Sequence, residues 1–244
     1  MRGAERTPVR GVPRPGRIRR PRAATPRQEQ GRAEILGTAA EFIAQQGFHG
    51  MSMRALAAAT GRALASLYNY FDSKEDLLYA LQSGAFRALL ESGRHAIDTT
   101  TDADARLYAF IANHVGYVTE HRDVMRVLVH EAAALRPEQR RELRRLKDAY
   151  FAQARELMDA LYDAPLGERE RATYSLFGMI NWVFAWYEPA RHGSPFDVAR
   201  TIHRMALCGL RNGDTAGAEV DAVERALRAA PNPSPIRPEV EKTP

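Results

Sequence analysis

Two runs decide the reading of this chain: Ser52-Met-Arg-Ala-Leu-Ala-Ala-Ala-Thr-Gly61 and Ser66-Leu-Tyr-Asn-Tyr-Phe-Asp-Ser-Lys-Glu75. Their apolar residues recur at helical spacing over 52–59 and 63–70, and Thr60-Gly61 joins the two segments. Two short helices with a tight turn have the dimensions of a helix-turn-helix, whose second helix enters the major groove of DNA. Such a turn needs a residue free to take positive φ, and Gly61 supplies it. Ala57 is small enough to let the helices approach closely, and Met53, Leu56 and Leu67 fill the wedge between them. Ser52 stands where it caps the first helix, and a helix N-terminus is also a ready phosphate site.

Upstream, Thr25-Pro26-Arg27-Gln28 has the signature of a capping box with proline at the first helical position. Ile35, Leu36, Ala39, Phe42 and Ile43 then repeat at helical spacing until Gly47 ends the run. Downstream, helical patterns follow at roughly 73–97, 103–119, 123–134, 137–162, 168–188 and 195–211. Ser73 with Asp76, and Ser194-Pro195 with Asp197, read as starts; Pro189 and Gly213 read as stops. No segment alternates with a period of two. The expected fold is all-α: a three-helix DNA-binding domain over 26–72, then a helical bundle over 73–213. Residues 1–25, rich in Arg and Pro with little to bury, read as a disordered arm. Residues 214–244 read as a tail with at most a short helix over 215–229.

The formal net charge is +5, but its distribution matters more than its sum. Residues 1–27 hold nine arginines and one acid, so the arm carries +8 and the rest of the chain −3. Residues 28–75 hold four cations and five acids, which is weak electrostatics for a DNA-binding segment. The arm either reaches along the DNA backbone or into a minor groove, or it reflects compositional bias alone. The single cysteine, Cys208, cannot form an internal disulfide and suits a reducing compartment. No apolar core follows the cationic N-terminus, and the longest apolar stretch, 176–186, is interrupted by Asn181. A soluble cytoplasmic protein with no membrane partner is the expectation.

Catalytic signatures are missing: there is no Gly-x-Ser-x-Gly, His-Glu-x-x-His, Cys-x-x-Cys or glycine-rich phosphate loop. An enzyme is therefore not expected. His114, His121 and His130 are spaced by seven and nine, unlike a helical metal pair, and read as surface or pocket-lining groups. Neither a metal nor a resident cofactor is expected.

The stretch from Ile35 to Leu78 resembles the N-terminal domain of the TetR family of repressors, most specifically in Leu67-Tyr-Asn-Tyr-Phe71 followed by Ser73-Lys-Glu75. The resemblance implies that Arg54 on the first helix of the motif, and Ser66, Tyr68 and Tyr70 on the second, face DNA. It implies that Lys74 clamps a phosphate and that Leu67 and Phe71 are buried. It further implies a homodimer whose two heads read a palindromic double-stranded operator, with half-sites spaced by whole turns of the double helix. This sequence departs from the family at Ala63-Leu64-Ala65. Leu64 either touches a thymine methyl or packs into the core, and Arg62 beside it is the best candidate for bidentate guanine reading.

Both tryptophans lie in Ser175-Leu-Phe-Gly-Met-Ile-Asn-Trp-Val-Phe-Ala-Trp-Tyr-Glu-Pro189, four residues apart and so on one helix face. Phe177, Asn181, Trp182 and Trp186, with Tyr150 or Phe151 from the preceding long helix, make either an aromatic pocket with one polar handle or an aromatic core or dimer face. This run resembles the effector domain of TetR-family regulators of fatty-acid, phenylacetate and steroid degradation. That resemblance implies an acyl-coenzyme A effector. Arg126, Arg155 and Arg191 are then candidate phosphate partners, although each alone reads as a solvated surface charge. A non-CoA hydrophobic effector is the alternative. The cationic run Arg140-Arg141…Arg144-Arg145-Lys147 reads as an exposed face. Small residues over 195–211 (Ala199, Ala206, Cys208, Gly209) suit close helix–helix contact.

Overall fold

The computed structural model describes residues 25–130 and 134–211, together with positions 220, 223, 225 and 228. The expectations for the arm before residue 25 lie outside the described residues, as do those for most of the C-terminal tail. Eleven helices lie within residues 25–211, and no strand occurs among the described residues. The first four are α1 (Pro26–Gly50), α2 (Met53–Ala59), α3 (Leu64–Tyr68) and α4 (Lys74–Ile97). The rest are α5 (Ala103–Glu120), α6 (Arg122–His130), α7 (Pro137–Asp159), α8 (Leu166–Asn181), α9 (Val183–Trp186), α10 (Pro189–His192) and α11 (Pro195–Arg211).

Local chemistry sets most of these boundaries. The Gln28 amide N–H donates to Thr25 Oγ1, while Thr25 N–H donates to Gln28 Oε1, so the capping box at α1 is closed in both directions. Gly47, at φ 75°, breaks the helical path of α1 and lets Phe48 and Met51 turn into the core. Ser52 Oγ accepts from Ala55 N–H at 3.1 Å and starts α2; Ser73 Oγ accepts from Asp76 N–H at 3.0 Å and starts α4. Gly61 sits at φ 62° in the turn between α2 and α3. Asp102 caps α5, and Ser194 and Asp197 cap each other at the start of α11.

One helix expected over 168–188 is two. The ladder breaks at Trp182, where Ala185 N–H closes a tighter turn onto the Trp182 carbonyl. Tyr187 and Glu188 then turn extended, as the residues ahead of Pro189 must. The Phe184 carbonyl, freed by the early end, accepts from Arg122 Nε at 3.0 Å.

Apolar residues sort into two cores. The head core gathers Ile35, Ala39 and Ile43 of α1, Leu56 of α2, Leu67 of α3 and Leu77, Leu78 and Leu81 of α4. It also takes Val127 of α6, and Leu135 and Leu143 from farther along the chain. The bundle core gathers Leu89, Phe110, Ile111, Val115, Tyr150, Leu176, Ile180, Val198 and Ile202, from α4, α5, α7, α8 and α11. α6 serves both: Val127 belongs to the head core, Met125 and Leu128 to the bundle core. The Asp76 carboxylate pins the head to α7, accepting from Arg136 and, at 2.7 Å, from Gln139 Nε2. No helix among the described residues is long and apolar enough to cross a membrane.

Candidate functional site

The outer face of α2 and α3 is the first candidate. Ser52, Arg54, Ala63, Ala65, Tyr68 and Asn69 are exposed there, and Tyr68, at 46% exposure, is unusually open for an aromatic ring. Ser66 is half-buried. Lys74 lies with its Nζ 4.3 Å from the centre of the Phe48 ring and donates to the His49 carbonyl at 3.4 Å. Leu64 is half-buried against the head core, the packing alternative left open by the sequence. Tyr70 is half-buried as well and packs on the same core.

Arg62 is not free. Its guanidinium donates to Glu34 of α1 at 2.8 Å and lies 5.8 Å from the centre of the Tyr70 ring. In this structure the side chain picked out as a guanine reader is held back against α1. Nothing near Arg62 in sequence announces a partner 28 residues away.

The second candidate is a cavity of about 740 Å3 between α4, α5, α6, α7 and α8, a volume typical of small-molecule sites. Five of the expected ligand residues line it: Tyr150, Phe151, Arg155, Phe177 and Asn181. Three do not. Trp182 and Trp186 are 55% and 41% exposed and line an outward groove with Met179, Ile202 and Met205. Their spacing of four does place them on one face, but that face turns away from the cavity. Arg126 sits near Ile43 and Phe184, where α1 meets α6, with a loose ion pair to Asp123.

Sequence reading missed several walls of the cavity: Phe86 and Leu89 of α4, Met125 and Leu128 of α6, and the charged residues Lys147 and Glu170. A His on the apolar face of α5, among Phe110, Ile111, Val115 and Val118, was the one signal that pointed inward. That residue, His114, is buried with its Nδ1 2.9 Å from Tyr150 Oη. Burial pulls its imidazole down to about 4, an effect the Asn181 side chain partly opposes. Burial likewise raises the Tyr150 phenol far above its ordinary range. The two groups are thus a neutral, uncharged pair at physiological pH.

Burial grades along the cavity. Leu89, His114, Met125 and Tyr150 are closed off from solvent, whereas Val129, Asp148 and Tyr174 are exposed. Lys147 and Arg155 lie between, and burial, then the neighbouring Arg144, lowers the Lys147 ammonium. Beside the open end, sharing Asp148, runs a groove lined by Arg140, Arg141, Arg144 and Arg145 of α7.

The comparisons with known proteins divide along the same two cores. Residues 35–81 match the family model of bacterial regulatory proteins of the tetR family, and residues 100–210 match that of the tetracyclin repressor-like C-terminal domain. The chain belongs to the TetR family. Membership makes it a regulatory protein and not an enzyme. The HTH-type transcriptional activator FasR of Mycolicibacterium smegmatis is 32% identical over 112 residues, 46% of this chain and 50% of the relative. The match therefore spans only half of that curated relative's length. A TetR-family regulator from Bordetella parapertussis superposes with a TM-score of 0.69 at 28% identity, over 74% of this chain and 96% of the other. AibR, solved in complex with isovaleryl coenzyme A and operator DNA, superposes with a TM-score of 0.63 at 25% identity, over 72% of this chain and 97% of the other.

Proposed function

We propose that this protein is a one-component transcriptional repressor that grips a palindromic operator as a homodimer and lets go when an acyl-coenzyme A thioester fills the cavity between α4 and α8. It acts where DNA and coenzyme A meet, in the bacterial cytoplasm. The observation that carries the proposal is the cavity's gradient, from an aromatic, closed inner end to a charged opening, where Lys147 and Arg155 stand with Asp148 and Glu170, beside the arginine groove of α7. An acyl and pantetheine arm is long and mostly apolar and suits the first. Its phosphates suit Lys147, Arg155 and the arginines of the adjoining groove, which the sequence alone left as an exposed face. AibR, a TetR-family structure similar to this chain, was solved with such a thioester and its operator, which supports the choice.

Dimerisation rests on the outward face of α8, α9 and α11. Trp182, Trp186 and Met205 are all exposed there, more large apolar surface than a solitary subunit keeps. Trp182→Glu on this face gives monomers in light scattering and abolishes binding to a two-half-site operator; a dimer that persists removes this interface. The repressor-like C-terminal domain favours repression, although FasR is an activator.

Release follows from α6. One face of this helix packs in the head core through Val127, and another lines the cavity through Met125, Leu128 and Val129. A thioester that prefers one position of α6 shifts the spacing of the two heads, and it acts only through that preference. A gel shift on the DNA flanking its own gene, with and without acyl-CoA thioesters, tests the proposal. A band released by one thioester and not by its free acid supports it. A band that no thioester releases, yet a free acid or another hydrophobic compound does, replaces CoA with that class of effector.

A further inference from the structure

The inner end of the cavity holds a polar atom that the fold leaves unpaired. His114 is 1% exposed and lines the cavity. Its ring is clamped: it stacks on Tyr150 at 5.8 Å and 18°, and meets Phe177 edge-on at 6.2 Å and 81°. Nδ1 is engaged by Tyr150 Oη, whereas Nε2 is buried with no partner at hydrogen-bonding geometry, the Asn181 side chain being near enough to raise the imidazole's basicity without satisfying it. A buried nitrogen in that state carries a desolvation cost that a partner would recover. Asn181, a second polar group on the same wall, comes from α8.

We infer that His114 is the specificity-determining contact of the cavity, its Nε2 taking a hydrogen-bonding oxygen, carbonyl or hydroxyl, on the buried part of the effector. Tyr150 is the positioning residue behind it. The inference rests on reading this cavity as the effector site, but not on the effector being a coenzyme A thioester. Because the imidazole is neutral, one of its nitrogens donates and the other accepts. Where Tyr150 donates to Nδ1, Nε2–H seeks a carbonyl oxygen. Where Nδ1–H donates to Tyr150 Oη, Nε2 accepts from a hydroxyl. A hydrocarbon serves neither tautomer. A site that must leave a buried polar group unpaired rejects the hydrocarbon analogue far more strongly than an apolar wall discriminates one methylene. The oxygen has two possible sources, the thioester carbonyl or a keto or hydroxyl group farther along the acyl chain.

The test is titration calorimetry on the full chain with decanoyl-CoA, 3-hydroxydecanoyl-CoA, and the non-CoA pair 2-octanone and octane. Wild type, His114→Phe, His114→Gln and the double variant His114→Phe/Tyr150→Phe are compared. The double variant removes the phenol that the first would strand, so that a folding defect is separable from lost recognition. Wild type binds 2-octanone about tenfold or more tighter than octane, and H114F loses that margin while H114Q keeps part of it. An equal tenfold loss for both thioesters in H114F assigns the oxygen to the thioester carbonyl. A loss confined to the hydroxylated thioester assigns it to the chain. Tyr150→Phe alters the His114 imidazole 15N shifts, a tautomer readout that simple loss of packing does not move. The inference falls if folded H114F binds every compound as tightly as wild type. If wild type ignores both thioesters yet still prefers 2-octanone, the coenzyme A reading falls and this one stands. Wild type that binds none of the four overturns both.

Discussion

The head and the bundle differ in where most of their polar side chains go. In the head they sit at helix ends and find backbone partners: Thr25, Ser52 and Ser73 each accept an N–H that the helix cannot satisfy itself. In the bundle Asp102 and Ser194 cap helices in the same way, but other polar groups lie inside. Asn113 Nδ2, His114 Nε2 and Gln153 Oε1 are buried without hydrogen-bond partners. They share one neighbourhood: a Cβ at Gly93 would stand 3.2 Å from Gln153 Oε1, 3.6 Å from the Tyr150 ring and 3.8 Å from Asn113 Nδ2. The difference separates an object built to hold one shape from one that keeps hydrogen-bonding capacity in reserve. A head that must match two grooves gains from rigidity. A receptor gains from groups whose best partner arrives from outside.

The contrast is open to attack at several points, the largest effect coming first. Leu67→Ala empties a site that is fully buried in the small head core. It should cost roughly 4 kcal/mol in chemical denaturation. A loss under about 1 kcal/mol would mean the head collapses readily around a void and is not rigid.

Next comes acid. The folded-state imidazole of His114 is lowered to about 4 from 6.5, so the unfolded chain binds the proton more readily. Stability is therefore full above pH 6.5 and is lost as pH falls toward 4, by about 3 kcal/mol in all for this group. H114F removes that component of the acid limb; denaturation curves at stepped pH that superpose for the two proteins would show the ring to be solvated after all.

Ser73→Ala deletes the cap of α4 and the hydroxyl that donates to Asp76 at 2.6 Å. A loss of about 1 kcal/mol is expected, and a DNA affinity that drops with it tests whether the start of α4 holds the head in register. Smallest is Glu34→Ala. The pair with Arg62 is half open to solvent, so stability should change by less than about 0.5 kcal/mol. Freeing Arg62 should tighten operator binding and steepen its salt dependence by about one phosphate contact, read by anisotropy at stepped salt. An unchanged slope leaves Arg62 outside the DNA interface.

What could be read from residues alone follows the same division. The head announces itself because its signals are local: a capping box over four residues, a glycine in a tight turn, and apolar positions three and four apart. The bundle's helices were legible for the same reason. Its site was legible only in part. The spacing of Trp182 and Trp186 told that they share a face, but the packing of α8 against α11 decides which way that face looks. The break at Trp182 is stabilised by Arg122, 62 residues from the carbonyl it holds. The pairing of His114 with Tyr150 joins two helices 36 residues apart. Each of these is a tertiary contact, and no window along the sequence contains both partners.

The head core also borrows from the other half of the chain: Val127, Leu135 and Leu143 complete it from beyond residue 120. A graft that joins this reading head to a foreign sensor at the end of α4 would strip those three side chains away. Swapping specificities between such proteins therefore calls for a seam that runs through space and not through one peptide bond. Either α6 and the start of α7 travel with the head, or the donor sensor supplies apolar groups of the same size at the same three places.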